Sequence, residues 1–111
     1  MAPTNPNVRF DADAKRFEIR PDETDAVAFL DVVPGSKVWS LTHTEVPPEF
    51  GGRGLGTALV RAALDHVRAL GATVMPVCPF VVAHLDRYPD EADVVHERFR
   101  YMLRGSEAAR G

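Results

Sequence analysis

The sequence predicts an α/β (α+β) fold in one domain, with a mainly antiparallel sheet flanked by helices. Residues 8–46 hold runs of β-forming residues separated by turn residues, which is typical of a strand meander. From Leu55 onward, apolar residues recur at steps of three and four, the period of an amphipathic helix. The 111 residues suffice for one core, so we expect a single domain over 8–104 and flexible termini at 1–7 and 105–111.

The first half predicts four strands. Residues 8–11 and 16–19 alternate apolar and other side chains around a polar turn, which indicates a hairpin. Residues 26–33 are rich in β-formers and end at a Pro-Gly turn. Residues 38–46 form the next strand candidate, and Pro47 and Pro48 end it because proline cannot donate to a ladder.

The second half predicts three helices and one strand. A helix begins at Leu55 and stops at Gly71, a natural helix terminator. Residues 73–77 are predicted to be a short buried strand, and residues 80–88 a second helix that Pro89 helps to end. Residues 91–104 place apolar side chains at helical spacing and predict a third helix. The predicted order is ββββαβαα.

Composition narrows the classes of function. The formal charge of −3 and scattered Lys and Arg argue against a nucleic-acid partner. No apolar run approaches the ~20 residues that span a bilayer, and the N-terminal residues lack a signal region, so we expect a cytoplasmic protein without a membrane partner. One cysteine cannot form an internal disulfide. The four histidines do not occur at the paired spacings typical of zinc ligands, so we expect no metal site. We expect a monomer or weak dimer.

The most informative segment is a glycine-rich stretch between a β-like run and the first helix. Gly51, Gly52, Gly54 and Gly56 fall within six residues. Glycine lets the backbone turn tightly and approach a ligand, and the first N–H groups of the helix are unpaired donors at the positive end of its dipole. The stretch therefore predicts a phosphate site. It matches neither a Walker A loop nor a Rossmann fingerprint, and a plain strand-to-helix turn is the alternative interpretation.

Residues 51–56, Gly-Gly-Arg-Gly-Leu-Gly, resemble motif A of the GNAT acetyltransferase superfamily, usually Arg/Gln-x-x-Gly-x-Gly/Ala. Gly51 replaces the customary Arg or Gln, and we expect Arg53 to supply the charge instead. A His-Thr-Glu-Val segment at 43–46 and a Pro-Val-Cys segment at 76–78 extend the resemblance to small single-domain GNAT-like proteins. The resemblance covers residues 38–95 and implies a compact GNAT-like fold.

The resemblance implies an N-acetyltransferase that transfers acetyl from acetyl-CoA to an amine or peptide acceptor. The family's loop holds the pyrophosphate of coenzyme A, and its preceding strand pairs with the pantetheine arm. The implied acetyl-CoA site comprises Val46, Gly51, Gly52, Arg53, Gly54, Leu55, Gly56 and Thr57. Two alternatives stay open: a non-enzymatic acyl-CoA binding or sensing module, and a protein-interaction domain.

Three residues are candidates for catalysis. His43 and Glu45, two apart on a strand, share one face, and either can take a proton from the incoming ammonium. A solvent-facing charged strand face is the alternative. Cys78 lies between Pro76 and Pro79 at a strand end before a helix, so we expect an exposed thiol whose thiolate the helix favours. It would accept acetyl or line the thioester pocket, and a small buried side chain is the alternative.

Other ring-bearing residues receive weaker assignments. The resemblance suggests Tyr88 or His84 as the residue that protonates the leaving thiolate, although a structural role is the more common one. His66 and His96 are interpreted as surface or partly buried helix residues, and Trp39 as part of the core.

Overall fold

The computed structural model describes residues 8–21 and 26–103, so the predicted flexible termini and residues 22–25 lie outside the described residues. A five-stranded mixed sheet flanked by helices confirms the predicted fold class. The elements, in chain order, are β1 (Arg9–Asp11), β2 (Arg16–Ile19), β3 (Ala28–Val33), β4 (Val38–Glu45), a first 3₁₀ helix (Pro48–Phe50), α1 (Leu55–Ala69), β5 (Thr73–Pro76), α2 (Pro79–Arg87), and second and third 3₁₀ helices (Pro89–Val94 and Glu97–Met102).

The strands are arranged in sequence order across the sheet, from β1 to β5. The first four pair antiparallel, which confirms the predicted meander, whereas β5 pairs parallel to β4. A parallel pair needs a long crossover connection, and the 15-residue α1 provides it. Within the described residues, no helix is both long and apolar enough to cross a membrane.

A β-bulge interrupts the pairing of β3 with β4. Asp31 faces His43 while the next residue, Val32, faces Leu41, so β4 carries one extra residue, Thr42, at this point. Because side chains alternate along a strand, the extra residue reverses the side on which later side chains lie. His43 therefore does not follow Leu41 into the core.

One face of the sheet is buried and the other is open. The buried face and the two α-helices share one hydrophobic core, which includes Leu30, Leu41, Leu59, Val67 and Val81. The predicted core position of Trp39 is confirmed, since its exposed fraction is 6%. The open face is defined by side chains that are half-buried or exposed: Arg16, Phe29, Asp31, Ser40, His43 and Glu45.

The predicted third helix at 91–104 is wrong. The chain instead forms two short 3₁₀ helices, separated by extended backbone at Val95 and His96. Val95 bridges Val74 in parallel, and the His96 N–H donates to the Val74 carbonyl at 3.0 Å. The exposed edge of β5 thus takes a backbone partner, which a continuous helix would not provide. The helical spacing of apolar residues reflects packing against the core rather than an α-helix.

Two ion pairs tie α1 to the second 3₁₀ helix. Arg61 binds Glu91 at 3.0 Å and Arg68 binds Asp93 at 2.7 Å. Partial burial opposes ionisation of Glu91, but hydrogen bonds from Arg61 and His84 hold its pKa below the usual value. The hydrogen bond from Arg68 likewise lowers the pKa of Asp93.

Acid is therefore expected to weaken this connection. A carboxyl whose folded pKa is depressed contributes stability above its unfolded pKa, about 4 for these residues, and loses it as the pH falls through the folded value. The wild-type melting temperature should fall as the pH drops below about 4, and Glu91→Gln combined with Asp93→Asn should show a smaller fall. Calorimetric melts from neutral to acidic pH provide the measurement, and identical pH dependence in both proteins would contradict the assignment.

Candidate active site

The glycine loop adopts a conformation that only glycine takes readily. Gly52 has φ +81° and Gly54 has φ +78°, both in the left-handed region. A Cβ atom built on either residue would meet no atom within 4 Å. The space beside these two glycines is therefore open.

The loop leads directly into the N-terminus of α1. Gly54 is the N-cap and provides no side-chain hydrogen bond, and its carbonyl accepts from the Ala58 N–H at 3.0 Å. The N–H groups of the first turn precede this bond and have no partner within the helix. These donors, at the positive end of a 15-residue helix, suit an anionic group.

The other two glycines of the motif serve the local packing. Gly51 is extended, with φ −60° and ψ 145°, and follows the first 3₁₀ helix. Gly56 is buried, and a Cβ atom there would lie 2.5 Å from the ring of Phe80. Gly56 thus lets α1 and α2 approach each other, a role that the sequence motif does not distinguish from phosphate binding.

A cleft of about 180 Å³ opens beside the loop, between the start of α1 and the outer face of α2. It is lined by Thr57, Phe80, Ala83, His84, Arg87 and Tyr88. Thr57 lies in the first turn of α1, so the cleft continues from the phosphate loop. A larger and more open cavity of about 300 Å³ lies at β1, β2 and the middle of α1, and none of the candidate residues lines it.

β4 and β5 separate near the same cleft. Their ladder ends at Leu41 and Pro76, although β4 continues to Glu45. The Leu41 carbonyl accepts from the N–H groups of both Val77 and Cys78, at 3.1 and 2.9 Å. The chain then turns into α2, so the last residues of β4 have no β5 residue opposite them. Val46 follows β4 and packs, partly buried, against the core.

His43 and Glu45 share one face of β4, as predicted. Their side chains are 58% and 62% exposed, and His43 Nε2 lies 3.5 Å from Glu45 Oε1. Both lie on the open face of the sheet, where the ring of His43 is 6.0 Å from that of Phe29. The carboxylate can orient the imidazole and compensate a proton on it.

Cys78 occupies the predicted element boundary but not the predicted exposure. It is the N-cap residue of α2, yet only 3% of it is exposed and it belongs to the hydrophobic core. Its Sγ lies 3.4 Å from Thr44 Oγ1, because the bulge at Thr42 turns Thr44 toward the core. The expectation of an exposed thiol is therefore wrong, and the tertiary contact between β4 and α2 is the reason.

We expect Cys78 to react slowly with a thiol reagent. A thiol reagent needs access to the sulfur, so labelling of the native protein should be on the order of a hundredfold slower than labelling in denaturant. Stopped labelling followed by mass spectrometry measures both rates. Rapid labelling of the native protein at the denatured rate would show that the thiol is accessible.

A polar network adjoins the cleft through His84 and Tyr88. His84 Nε2 lies 2.8 Å from Glu91 Oε1, and both carboxylate oxygens of Glu91 accept from Arg61 at 3.0 to 3.3 Å. The Arg61 guanidinium lies 4.7 Å from the Tyr88 ring centre. The sequence analysis named His84 and Tyr88 but not Glu91 or Arg61. Arg61 lies on α1 and Glu91 on the second 3₁₀ helix, and these elements come into contact only in the folded protein.

The remaining loop candidates lie where the motif places them. Arg53 is exposed, with its guanidinium 5.4 Å from the Phe50 ring centre. Leu55 is the first residue of α1 and packs against the core, so only its backbone can face a ligand. The structure thus joins the loop, Thr57 and the cleft into one region, and it places His43 and Glu45 on the opposite face of the sheet.

Comparisons with known proteins identify one family and two similar proteins. The profile of a family described as GCN5-related N-acetyltransferase matches residues 16–94. Protein NATD1 of Xenopus tropicalis is 39% identical over 64 residues, which cover 55% of this chain and 59% of that protein. Protein NATD1 of Mus musculus is 36% identical over 61 residues, covering 54% and 56%. The chain thus spans less than two thirds of the length of these relatives.

Proposed function

Because this chain belongs to the GCN5-related N-acetyltransferase family, we propose that it is an enzyme that transfers acetyl from acetyl-CoA to an amine. N-acetyltransferases of this family generally use acetyl-CoA as the acetyl donor. The observation that carries the proposal is the glycine loop, where open space beside Gly52 and Gly54 adjoins the unpaired N–H donors of α1.

The proposed acetyl-CoA site extends from the loop into the cleft. The backbone from Gly51 to Thr57 receives the pyrophosphate, with the positive charge of Arg53 nearby. The cleft beside Thr57 takes the pantetheine arm, and the end of β4 near Val46 offers backbone groups that β5 does not pair. These features fit a long, flexible ligand that has phosphates at one end and amides along its length.

In the proposed reaction, the amine nitrogen bonds to the acetyl carbonyl carbon and the carbon–sulfur bond of the thioester breaks. In this proposal the thioester lies between the separated ends of β4 and β5. His43 on the open face, oriented by Glu45, takes the proton that the amine nitrogen loses, and the thiolate takes a proton from solvent and leaves as coenzyme A. Cys78 receives no covalent role, because an exposed fraction of 3% gives a thioester no approach to its sulfur.

A non-enzymatic acyl-CoA binding module is the second candidate. The described part of the chain has no helix between β1 and β2, and His43 and Glu45 lie on an open sheet face rather than in a pocket. Such a module would bind acetyl-CoA through the same loop without turnover. A protein-interaction domain would not bind it at all.

Two measurements distinguish the acetyltransferase, the acyl-CoA binding module and the protein-interaction domain. Thermal melts with and without acetyl-CoA test binding, and a thiol assay for released coenzyme A with a panel of amines and lysine peptides tests turnover. We expect stabilisation by acetyl-CoA and release of coenzyme A that depends on one class of acceptor. Stabilisation without release for any acceptor favours the binding module, and no stabilisation refutes both coenzyme A readings.

A further inference from the structure

A hydrogen-bonded pair, buried His84 and partly exposed Glu91, lies beside the cleft and has no part in the reaction described above. The side chain of His84 is 2% exposed, and its Nε2 lies 2.8 Å from Glu91 Oε1. Burying two polar groups is costly unless each has a partner. Here Glu91 is bound by both His84 and Arg61, so the pair is a built polar feature of the fold.

The charge of Glu91 fixes the tautomer of His84. Hydrogen bonds from Arg61 and His84 outweigh the effect of burial and lower the pKa of Glu91, so its carboxylate is ionised at neutral pH. A carboxylate can only accept hydrogen bonds. The proton of neutral His84 therefore lies on Nε2, and Nδ1 carries a lone pair.

The second ring nitrogen, Nδ1, is the atom of His84 that is left for a ligand in the cleft. His84 lines the cleft, and Nδ1 makes no hydrogen bond within the described part of the chain. No buried side-chain nitrogen or oxygen in that part lacks a partner, so Nδ1 must be accessible to solvent. The solvent that reaches a side chain this buried is that of the cleft.

We propose that Nδ1 of His84, held as a hydrogen-bond acceptor by Glu91, binds an N–H or O–H donor of the ligand in the cleft. The inference rests on the proposed function and specifies the pantetheine arm, which carries two amide N–H groups and a hydroxyl. His84 is thus a binding residue and Glu91 its positioning residue. The arm is recognised at its amides as well as at its phosphates.

The proposal predicts a pH dependence with a defined sign. When the imidazole takes a proton, Nδ1 becomes a donor and can no longer accept from the ligand. The charged and titratable groups around it are Glu91 on the second 3₁₀ helix, Arg61 on α1, Arg87 on α2 and Tyr88 at the end of α2. A histidine that acted only through its charge would instead bind the phosphates more tightly in acid.

Calorimetric titration with coenzyme A tests the acceptor. His84→Phe keeps a ring in the site but removes Nδ1, and we expect about a tenfold loss of affinity, equal to 1.4 kcal/mol. His84→Asn places a carbonyl oxygen near the position of Nδ1 and should keep the affinity within about threefold. His96→Asn, which preserves an acceptor for the Arg98 N–H at the third 3₁₀ helix, should bind like wild type.

The pH dependence of binding and the tautomer of His84 are two further readouts. Neither would be affected if His84 had only a structural role. Wild-type affinity should fall more steeply in acid than that of His84→Asn, because a proton on Nδ1 turns it from an acceptor into a donor and the Asn carbonyl oxygen does not change in this way. Nitrogen NMR of labelled histidine should show the Nε2–H tautomer for His84. In Glu91→Gln, whose amide can donate as well as accept, we expect a mixture of tautomers and a weaker pH dependence.

The outcomes separate this inference from the function on which it rests. If wild type binds coenzyme A and both His84→Phe and His84→Asn bind it with wild-type affinity, the inference is overturned and the proposed function stands. An Nδ1–H tautomer in the wild type would overturn it as well. If folded wild type does not bind coenzyme A, both proposals fail.

Discussion

Replacing Gly54 by valine is expected to reduce acetyl-CoA affinity on the order of a hundredfold, about 2.8 kcal/mol. Gly54 has φ +78°, and the position of its missing Cβ is open space beside the N-terminus of α1. A side chain there would occupy the volume assigned to the pyrophosphate. It would also strain the backbone, by about 1–3 kcal/mol for a residue in the left-handed region. Isothermal titration calorimetry measures the affinity.

Gly71 provides a matched control. It has φ +72°, its Cβ position is equally open, and it follows the opposite end of α1. Gly71→Val should therefore lower the melting temperature about as much as Gly54→Val while leaving acetyl-CoA affinity unchanged. Alanine at the same two positions repeats the comparison with less strain. Equal affinity in folded Gly54 and Gly71 variants would remove the loop from the site.

His43→Ala is expected to lower turnover by about a hundredfold while acetyl-CoA still binds, since general bases contribute roughly 10²–10⁴ in rate. His43 is 58% exposed and lies beside Glu45 at the end of β4. Wild-type activity should fall in acid, and His43→Ala should remove the part of that fall which protonation of the base causes. Steady-state rates against pH, with saturating acetyl-CoA, measure the effect.

Two variants show whether the effect belongs to the base. Glu45→Ala should lose less activity than His43→Ala, because it removes only the group that orients the imidazole. Glu18→Ala changes a charge on the same face of the sheet, on β2, and should leave turnover unaltered. Rate profiles of the same shape and height for wild type and His43→Ala would make His43 a sheet residue without a role in proton transfer.

The glycine loop, α1 and the first four strands were predictable because their determinants are local. Glycines at 52 and 54 allow the left-handed turns that the structure contains, and the three- and four-residue spacing from Leu55 matches the helix. Gly71 ends α1 with a positive φ, as the sequence indicated. The family motif added the phosphate role of the loop.

The positions and exposure of the catalytic candidates depend on contacts between distant parts of the chain. A bulge in the pairing of β3 with β4 places His43 and Glu45 on the open face and turns Thr44 toward Cys78. The residues around Thr42 do not predict this bulge, because a bulge arises from the register of two paired strands. The prediction that Cys78 is exposed was wrong for a similar reason. Its burial depends on how α2 packs against the rest of the fold, which the local sequence does not indicate.

By itself, the sequence determined the fold class, the glycine loop and the family, because glycine conformation, apolar periodicity and a short motif are properties of neighbouring residues. Only the tertiary structure decided the sides of the sheet, the burial of Cys78 and the network that joins His84 to Glu91 and Arg61. It also replaced the predicted third helix by two 3₁₀ helices, because the free edge of β5 takes Val95 and His96 as backbone partners. Such contacts join residues that are separated along the chain, and their energies enter only when the elements pack together.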